Sequence, residues 1–496
     1  MERGCGVALT GSTLTDEDPE ADPANILVCV TSERSKSGNS PIRSRGIPLA
    51  WSVVLLAFGI VYLLGWGPLV LHHSQWTTGG DLWGIFRAAH YVGWGFFGGI
   101  YSSSTGVNTF PGISLLLAPL AMVSGALDLP ESVPGIIISH PTAALLLQPF
   151  ELLLTCSTLF AADAVAVRLA VRTSLRVWLI GVIAVVAWPV AALWGHAEDV
   201  LAVTFALLAI RLLIDGKSRR SGWLMGIGIA FQPLVGFILP IAMGISPARR
   251  RVKFFFQAAL PSVVLIGIAL AGNWSDTYRA LVKQPTPPAL NHATPWVSWA
   301  PHVGQVLVPK TETALRLGQL HGHFHTFTST VNSSSFVLVS GGPVRTIGLV
   351  FAVLIGLFVW RKRPDPIGIM WLCGVALALR CYFEPVMTPY YLAPPLIVAL
   401  IAAARMGRLR FGIAAAVGLA DTVFAYYRFS PWVWWLPVVG MLTIVLACGY
   451  PGQTHLLADG VANGDNANDG GWTGYGACTP ADTTVPSYRT KRWVET

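Results

Sequence analysis

From residue 47 onward the chain alternates long apolar runs with short polar clusters, and most of the runs approach the length needed to cross a bilayer. The hydrocarbon layer is about 30 Å thick, so a helix rising about 1.5 Å per residue crosses it in roughly 20 residues. By that measure the pattern predicts about twelve membrane segments. Single crossings are expected at 47–71, 146–168, 177–194, 200–216 and 254–272, and the meander resumes at 344–360, 366–382, 388–404, 411–427 and 431–448. The run 221–246 has basic clusters at both ends and Gln232-Pro233 in its middle. It reads as two short helices broken at the proline, which cannot donate a helical hydrogen bond. Broken short segments often border cavities in membrane proteins.

Basic residues orient this pattern. Arg43 and Arg45, then Arg168, Arg172 and Arg176, Lys217, Arg219 and Arg220, Arg249 to Arg251 with Lys253, Arg361 to Arg363, and Arg405, Arg408 and Arg410 all fall between apolar runs. Such clusters mark the cytoplasmic side, so both termini are expected there. Only one full crossing fits before Arg168. The apolar stretches 111–127 and 132–145 therefore read as interfacial or partly inserted pieces of an outer loop, 72–145. The expected plan is a disordered cytoplasmic tail (1–46), a membrane module (47–272), a long extracytoplasmic loop (273–343), a second module (344–448) and a disordered tail (449–496). Acidic residues at 16–22 make a cleaved secretory signal an unexpected reading of the first tail.

Composition agrees. Of 496 residues 53% are hydrophobic and 12% charged, with mean hydropathy +0.58. That is too few charges for an ordinary soluble surface, which carries about a quarter. The fold class is an all-α polytopic membrane protein, its partner the lipid bilayer. The net charge of +8 comes from the orienting clusters, so no nucleic-acid partner is implied. Seven cysteines, none within the two long outer loops, suggest no disulfide framework. No internal repeat, Gly-rich phosphate loop or zinc finger is present, and no cofactor or metal is called for.

The candidate chemistry lies where polar groups collect at the expected outer side. Asp81 follows segment one in Thr-Thr-Gly-Gly-Asp-Leu-Trp, near Arg87 and His90. A partly desolvated carboxylate there could take a proton from an attacking hydroxyl, burial lifting its pKa; otherwise it caps a helix starting at Leu82. His196, Glu198 and Asp199 form a polar turn at a helix mouth, where charges are costly unless paired or wet. Asp199 could instead cap a helix beginning at Val200, and the spacing does not by itself specify a metal site. In His321-Gly-His323-Phe-His325 an extended backbone would put three imidazoles on one face, to bind phosphate or metal or simply to be wet. Arg380 could clamp a lipid phosphate, or snorkel, or pair with Glu384. Glu151, Asp163 and Gln232 are further polar residues within spans that could serve helix packing alone.

GGDLW after segment one, an outer loop of half-inserted helices, GHAED, a broken hairpin carrying FQPLVGFILP, and a long loop after the seventh segment together resemble the integral-membrane GT-C glycosyltransferases, in particular actinobacterial polyprenyl-phosphomannose-dependent mannosyltransferases. GHAED and FQP depart from the GQ-type turn and the Lys-Pro of many relatives. The resemblance implies an inverting transfer of a sugar, mannose first, from a polyprenyl-phosphate donor to a lipid or polysaccharide acceptor, with Asp81 as general base at the outer face of the cell membrane. Arg87, His90, His196, Glu198, Asp199, His323, Arg380 and Glu384 are the candidates for holding donor phosphate or substrate. A transporter or flippase of lipid-linked sugars and a non-catalytic assembly protein are the competing readings. A flippase would need its acids and cations near the bilayer midplane.

Overall fold

A computed structural model of the chain describes residues 41–62, 81–131, 142–289, 291–310, 317–320, 323–326 and 332–456. Residues 1–44 and 45–496 form separate units, and the architecture that follows is that of 45–496. It is a helical membrane protein. Among the described residues seven helices are long and apolar enough to span a bilayer: Ala144–Arg168, Thr173–Ala192, Ala248–Gly272, Gly342–Lys362, Pro366–Phe383, Pro389–Met406 and Pro431–Gly449. Shorter apolar helices cover Gly46–Val61, Gly112–Ala126 and Pro233–Ile245. The first of the expected segments thus ends by Val61 as a described helix, while 63–80, with the Thr-Thr-Gly-Gly step, lie outside the described residues.

Elements are numbered in chain order. Helix α1 is Pro41–Val61, α2 is Leu82–Gly93 and α3 is Gly112–Ala126. At 15 residues, about 22 Å, α3 is too short to cross alone. Helices α4 (Ala144–Arg168), α5 (Thr173–Ala192), α6 (Ala197–Ile214) and α7 (Ser218–Phe231) follow, with α6 packed between α4 and α7. Helix α6 reaches the length of a span, but Glu198, Asp199 and Arg211 put three charges in it. After α7 the backbone is extended at Gln232, turns through a tight helical stretch at Pro233–Ile238 and continues as α8, Leu239–Ile245. The break falls at the proline step, for the reason expected.

Helix α9, Arg251–Gly272, closes the first half. Its last residue meets the segment after α2 so closely that a Cβ on Gly98 would lie 2.7 Å from the Gly272 carbonyl oxygen. Only glycine on both sides permits that approach. The segment 273–343 is not simply a loop: besides α10 (Trp274–Tyr278) it holds most of three small antiparallel pairs. Strand β1 (His292–Ala293) pairs with β6 (Val386–Met387), β2 (His302–Lys310) with β5 (Asn332–Val339), and β3 (Leu317–Leu320) with β4 (His323–Thr326). Val306, Leu307 and Val308 suit a strand, as β-branched and large apolar residues do.

The second half comprises α11 (Gly342–Lys362), α12 (Pro366–Phe383), α13 (Ala393–Met406), α14 (Arg408–Phe424), α15 (Pro431–Gly449) and α16 (Gln453–Leu456). The β1–β6 pair fastens segment 273–343 to the connection between α12 and α13. So do the Thr294 hydroxyl, donating to the Glu384 carbonyl at 2.7 Å, and the Trp296 indole, donating to the Tyr382 carbonyl at 2.7 Å.

Asp163 and Arg176 join α4 to α5 by a buried two-pronged ion pair, 2.8 and 2.7 Å, so Asp163 serves packing. Removing one partner of such a pair leaves a buried charge uncompensated, at about 3–5 kcal/mol. Asp163→Ala is therefore expected to lower the thermal unfolding midpoint in detergent markedly, and Asp163→Asn, which keeps an acceptor, to lower it less.

Candidate functional site

Asp81 occupies the position just before α2, yet its side chain makes no capping hydrogen bond. The carboxylate turns instead to a residue 115 positions away: His196 Nε2–H donates to Asp81 Oδ2 at 2.7 Å. The backbone closes the same junction, since the Asp81 N–H donates to the Trp194 carbonyl at 3.1 Å. His196 itself sits just before α6, whose helix begins at Ala197 rather than Val200, so Asp199 lies in the first turn and does not cap it. The other ring nitrogen of His196 donates to Glu198 Oε1 at 2.6 Å, and Asp199 Oδ2 is 3.8 Å from it.

A neutral imidazole carries one N–H. With a carboxylate within hydrogen-bond distance of each nitrogen, His196 is held as imidazolium. Burial opposes that charge, but the Glu198 carboxylate and the hydrogen bonds to Asp81 and Glu198 outweigh it and raise the ring pKa well above 6.5. The ring is 9% exposed and lies flat on Tyr390, with centroids 3.7 Å apart and planes 28° apart. Asp81 differs: 65% of its side-chain surface is open. Surrounding protein still gives a burial effect that would raise its pKa, but the hydrogen bond and positive charge of His196 win and hold it below the ordinary 3.8. The upward shift expected for Asp81 from burial is thus overturned by a partner that the sequence did not reveal.

Around this chain of two carboxylates and a ring lies a surplus of buried acid. Glu151, Glu198 and Asp199 are each 1% exposed or less. One oxygen of Glu151, one of Glu198 and both of Asp199 have no hydrogen-bond partner. Gln232 lies against Asp199 without satisfying either oxygen in hydrogen-bonding geometry. His196, Glu198 and Asp199 each offer an atom within 4.8 Å of the others, so these three could hold a divalent cation in place of the ring proton.

Cations stand on the far side of the aromatic pair. Tyr391 meets Tyr390 edge-on at 4.8 Å, and the Arg380 guanidinium lies 3.6 Å above the Tyr391 ring. Arg380 Nε is 3.7 Å from Glu384 Oε2, and Glu384 also takes a two-pronged ion pair from Arg345. Two guanidiniums share the Glu384 carboxylate, and Arg380 also feels the charge of Asp199. A crevice of about 10 Å³, room for one water, opens next to Trp194, Tyr390 and Tyr426.

The remaining candidates are placed elsewhere. Arg87 is tied to Glu131, donates to the Ser104 carbonyl at 3.2 Å and covers the Trp83 ring at 4.2 Å. His90 Nδ1 donates to the Phe86 carbonyl at 3.2 Å. Among the described residues neither contacts the Asp81–His196 pair. His323 and His325 fall within strand β4, and His321 lies outside the described residues. Tyr390, Tyr391 and Arg345 were missed. The two tyrosines stand in a chain that is 11% aromatic, but an arginine in the first turn of the expected span 344–360, at its outer end, was a usable signal. Compared with family models, curated proteins and solved structures, the chain matches none.

The titrations have opposite signs. The His196 contribution to stability is complete below pH 6.5 and is lost as pH rises through its raised pKa; that of Asp81 is complete above pH 3.8 and is lost as pH falls through its lowered one. The difference in unfolding midpoint between wild type and His196→Gln, measured against pH, should therefore be largest between those values and shrink on the alkaline side. A difference independent of pH up to strongly alkaline conditions would contradict the ion pair.

Proposed function

We propose that the protein is a membrane glycosyltransferase that moves a sugar, mannose as the first candidate, from a polyprenyl-phosphate donor to a hydroxyl of a lipid or polysaccharide acceptor. The observation that carries this reading is the two-faced Asp81 carboxylate. One oxygen is fixed by His196 and the side chain is open to a substrate. In the reaction the acceptor oxygen attacks the anomeric carbon from the face opposite the phosphate. The carbon–oxygen bond to phosphate breaks, polyprenyl phosphate leaves with the electron pair, and the acceptor proton passes to Asp81. The configuration inverts. A weak base suffices, because the hydroxyl grows acidic as its oxygen bonds to carbon.

Arg380 and Arg345 supply positive charge for the departing phosphate, Glu384 holding both guanidiniums in orientation. The Tyr390–Tyr391 pair spaces base from cations and offers aromatic faces to a sugar. No nucleotide is needed, since the leaving group is a lipid phosphate. The active site is assigned to the extracytoplasmic side of the plasma membrane, in cell-envelope glycan synthesis, in line with the positions of the basic clusters.

Asp81→Asn, which keeps an acceptor for the His196 N–H but loses the negative charge, is expected to fold and insert with a lowered unfolding midpoint and to lower turnover by about 10²–10⁴-fold, read by comparing lipids and glycans of membranes with and without the variant. Unaltered product from that variant would sink the assignment. Arg380→Ala should weaken use of the lipid-phosphate donor more than use of the acceptor; equal loss for both would remove Arg380 from the phosphate site.

A further inference from the structure

A second polar concavity lies at the end of α6 away from His196, separated from it by 18 helical residues, about 27 Å. There the start of α7 faces the start of α9 across a cavity of about 200 Å³ lined by Ser218, Arg219, Arg250, Lys253, Phe254 and Gln257. Three of the six are cations and none is an acid. Among the described residues none of the three cations forms an ion pair, and the nearby Asp215 is already held by Arg168 at 2.6 Å. Three like charges around one hollow repel each other and create a positive potential that an anion relieves.

The floor of the hollow is built rather than merely charged. Ser218 is 3% exposed and its hydroxyl has no partner among the described residues. Gln257 is 9% exposed and its amide oxygen lies against Gly222, where a Cβ would come within 2.9 Å. Phe254, 1% exposed, forms an apolar base. The free N–H groups of the first turn of α7 add the positive end of a helix dipole. A phosphate group meets this set, offering charge to the cations and acceptor oxygens to the hydroxyl, amide and N–H donors.

What carries the phosphate is indicated by the flank of α9. Val252, Phe256 and Val263 stand 67%, 64% and 63% exposed, and little of this helix is covered by protein. An apolar stripe therefore starts at the lip of a cationic hollow, and one molecule that fits both is a lipid. Basic pockets between membrane helices are a recurrent headgroup site. We propose that the hollow binds the phosphate of an anionic glycerophospholipid, whose acyl chains lie along α9. The proposal is independent of the chemistry at Asp81 and needs only that the chain spans a bilayer.

Full-length protein in mild detergent is offered phosphatidylglycerol or phosphatidylcholine, and retained lipid is counted by native mass spectrometry. Wild type should keep phosphatidylglycerol in preference, and Arg219→Ala/Arg250→Ala/Lys253→Ala should lower that retention at least about tenfold. The single exposed change Lys253→Glu should lower it in the same direction, and Arg361→Ala/Lys362→Ala, outside the hollow, should leave it intact. Equal retention of both lipids by wild type, or undiminished preference in the triple and Lys253→Glu variants, overturns the proposal. Displacement of the lipid by inorganic phosphate alone would make this a free-anion site and overturn the lipid assignment.

Discussion

One charged ring holds the candidate site together. His196 stands between Asp81 and Glu198, and through it the segment before α2 is locked to the turn before α6. Without this ring, Glu198 would be a carboxylate at 0% exposure with neither oxygen partnered, an arrangement that protein interiors rarely tolerate. The carboxylates in turn keep the ring protonated. Each half of the pair thus depends on the other, and the Asp81–Trp194 backbone hydrogen bond fixes the junction at which they meet.

The ring also starts a series of stacked contacts that ends in guanidinium. His196 lies on Tyr390, Tyr390 meets Tyr391, and Arg380 covers Tyr391. Planar groups packed in this way have few alternative rotamers, so the separation between the acidic and the cationic ends is set by aromatic thickness rather than by flexible chains. The segment that carries the tyrosines is braced in turn by the β1–β6 pair.

What could be read from the chain follows from which forces are local. Bilayer thickness acts on contiguous residues, so the spans at 144–168, 173–192 and 366–383 were legible to within a few residues, as was the break at Gln232-Pro233. Asp81, His196, Glu198, Asp199 and Arg380 were legible as charges in places where charge is costly. Their partners were not. Local rules offered helix capping as the alternative role of Asp81 and Asp199, and for Asp81 a contact across 115 residues takes its place. The same contact reversed the direction of the Asp81 pKa. Arg87, a cation close to Asp81 in sequence, is taken up by Glu131. The strands in 292–339 are short pairs that carry little periodic signal.

The unpartnered oxygens of Glu151, Glu198 and Asp199 set stability against chemistry within one cluster of side chains. An amide of the same shape in place of Glu151 or Asp199, unlike one in place of Glu198, the counter-ion of His196, would relieve electrostatic strain in a nonpolar interior. Selection for robustness alone would then favour glutamine and asparagine at these positions. Descendants of this chain that no longer needed the cluster would drift toward neutral, better-packed side chains there, keeping the fold while losing the acids.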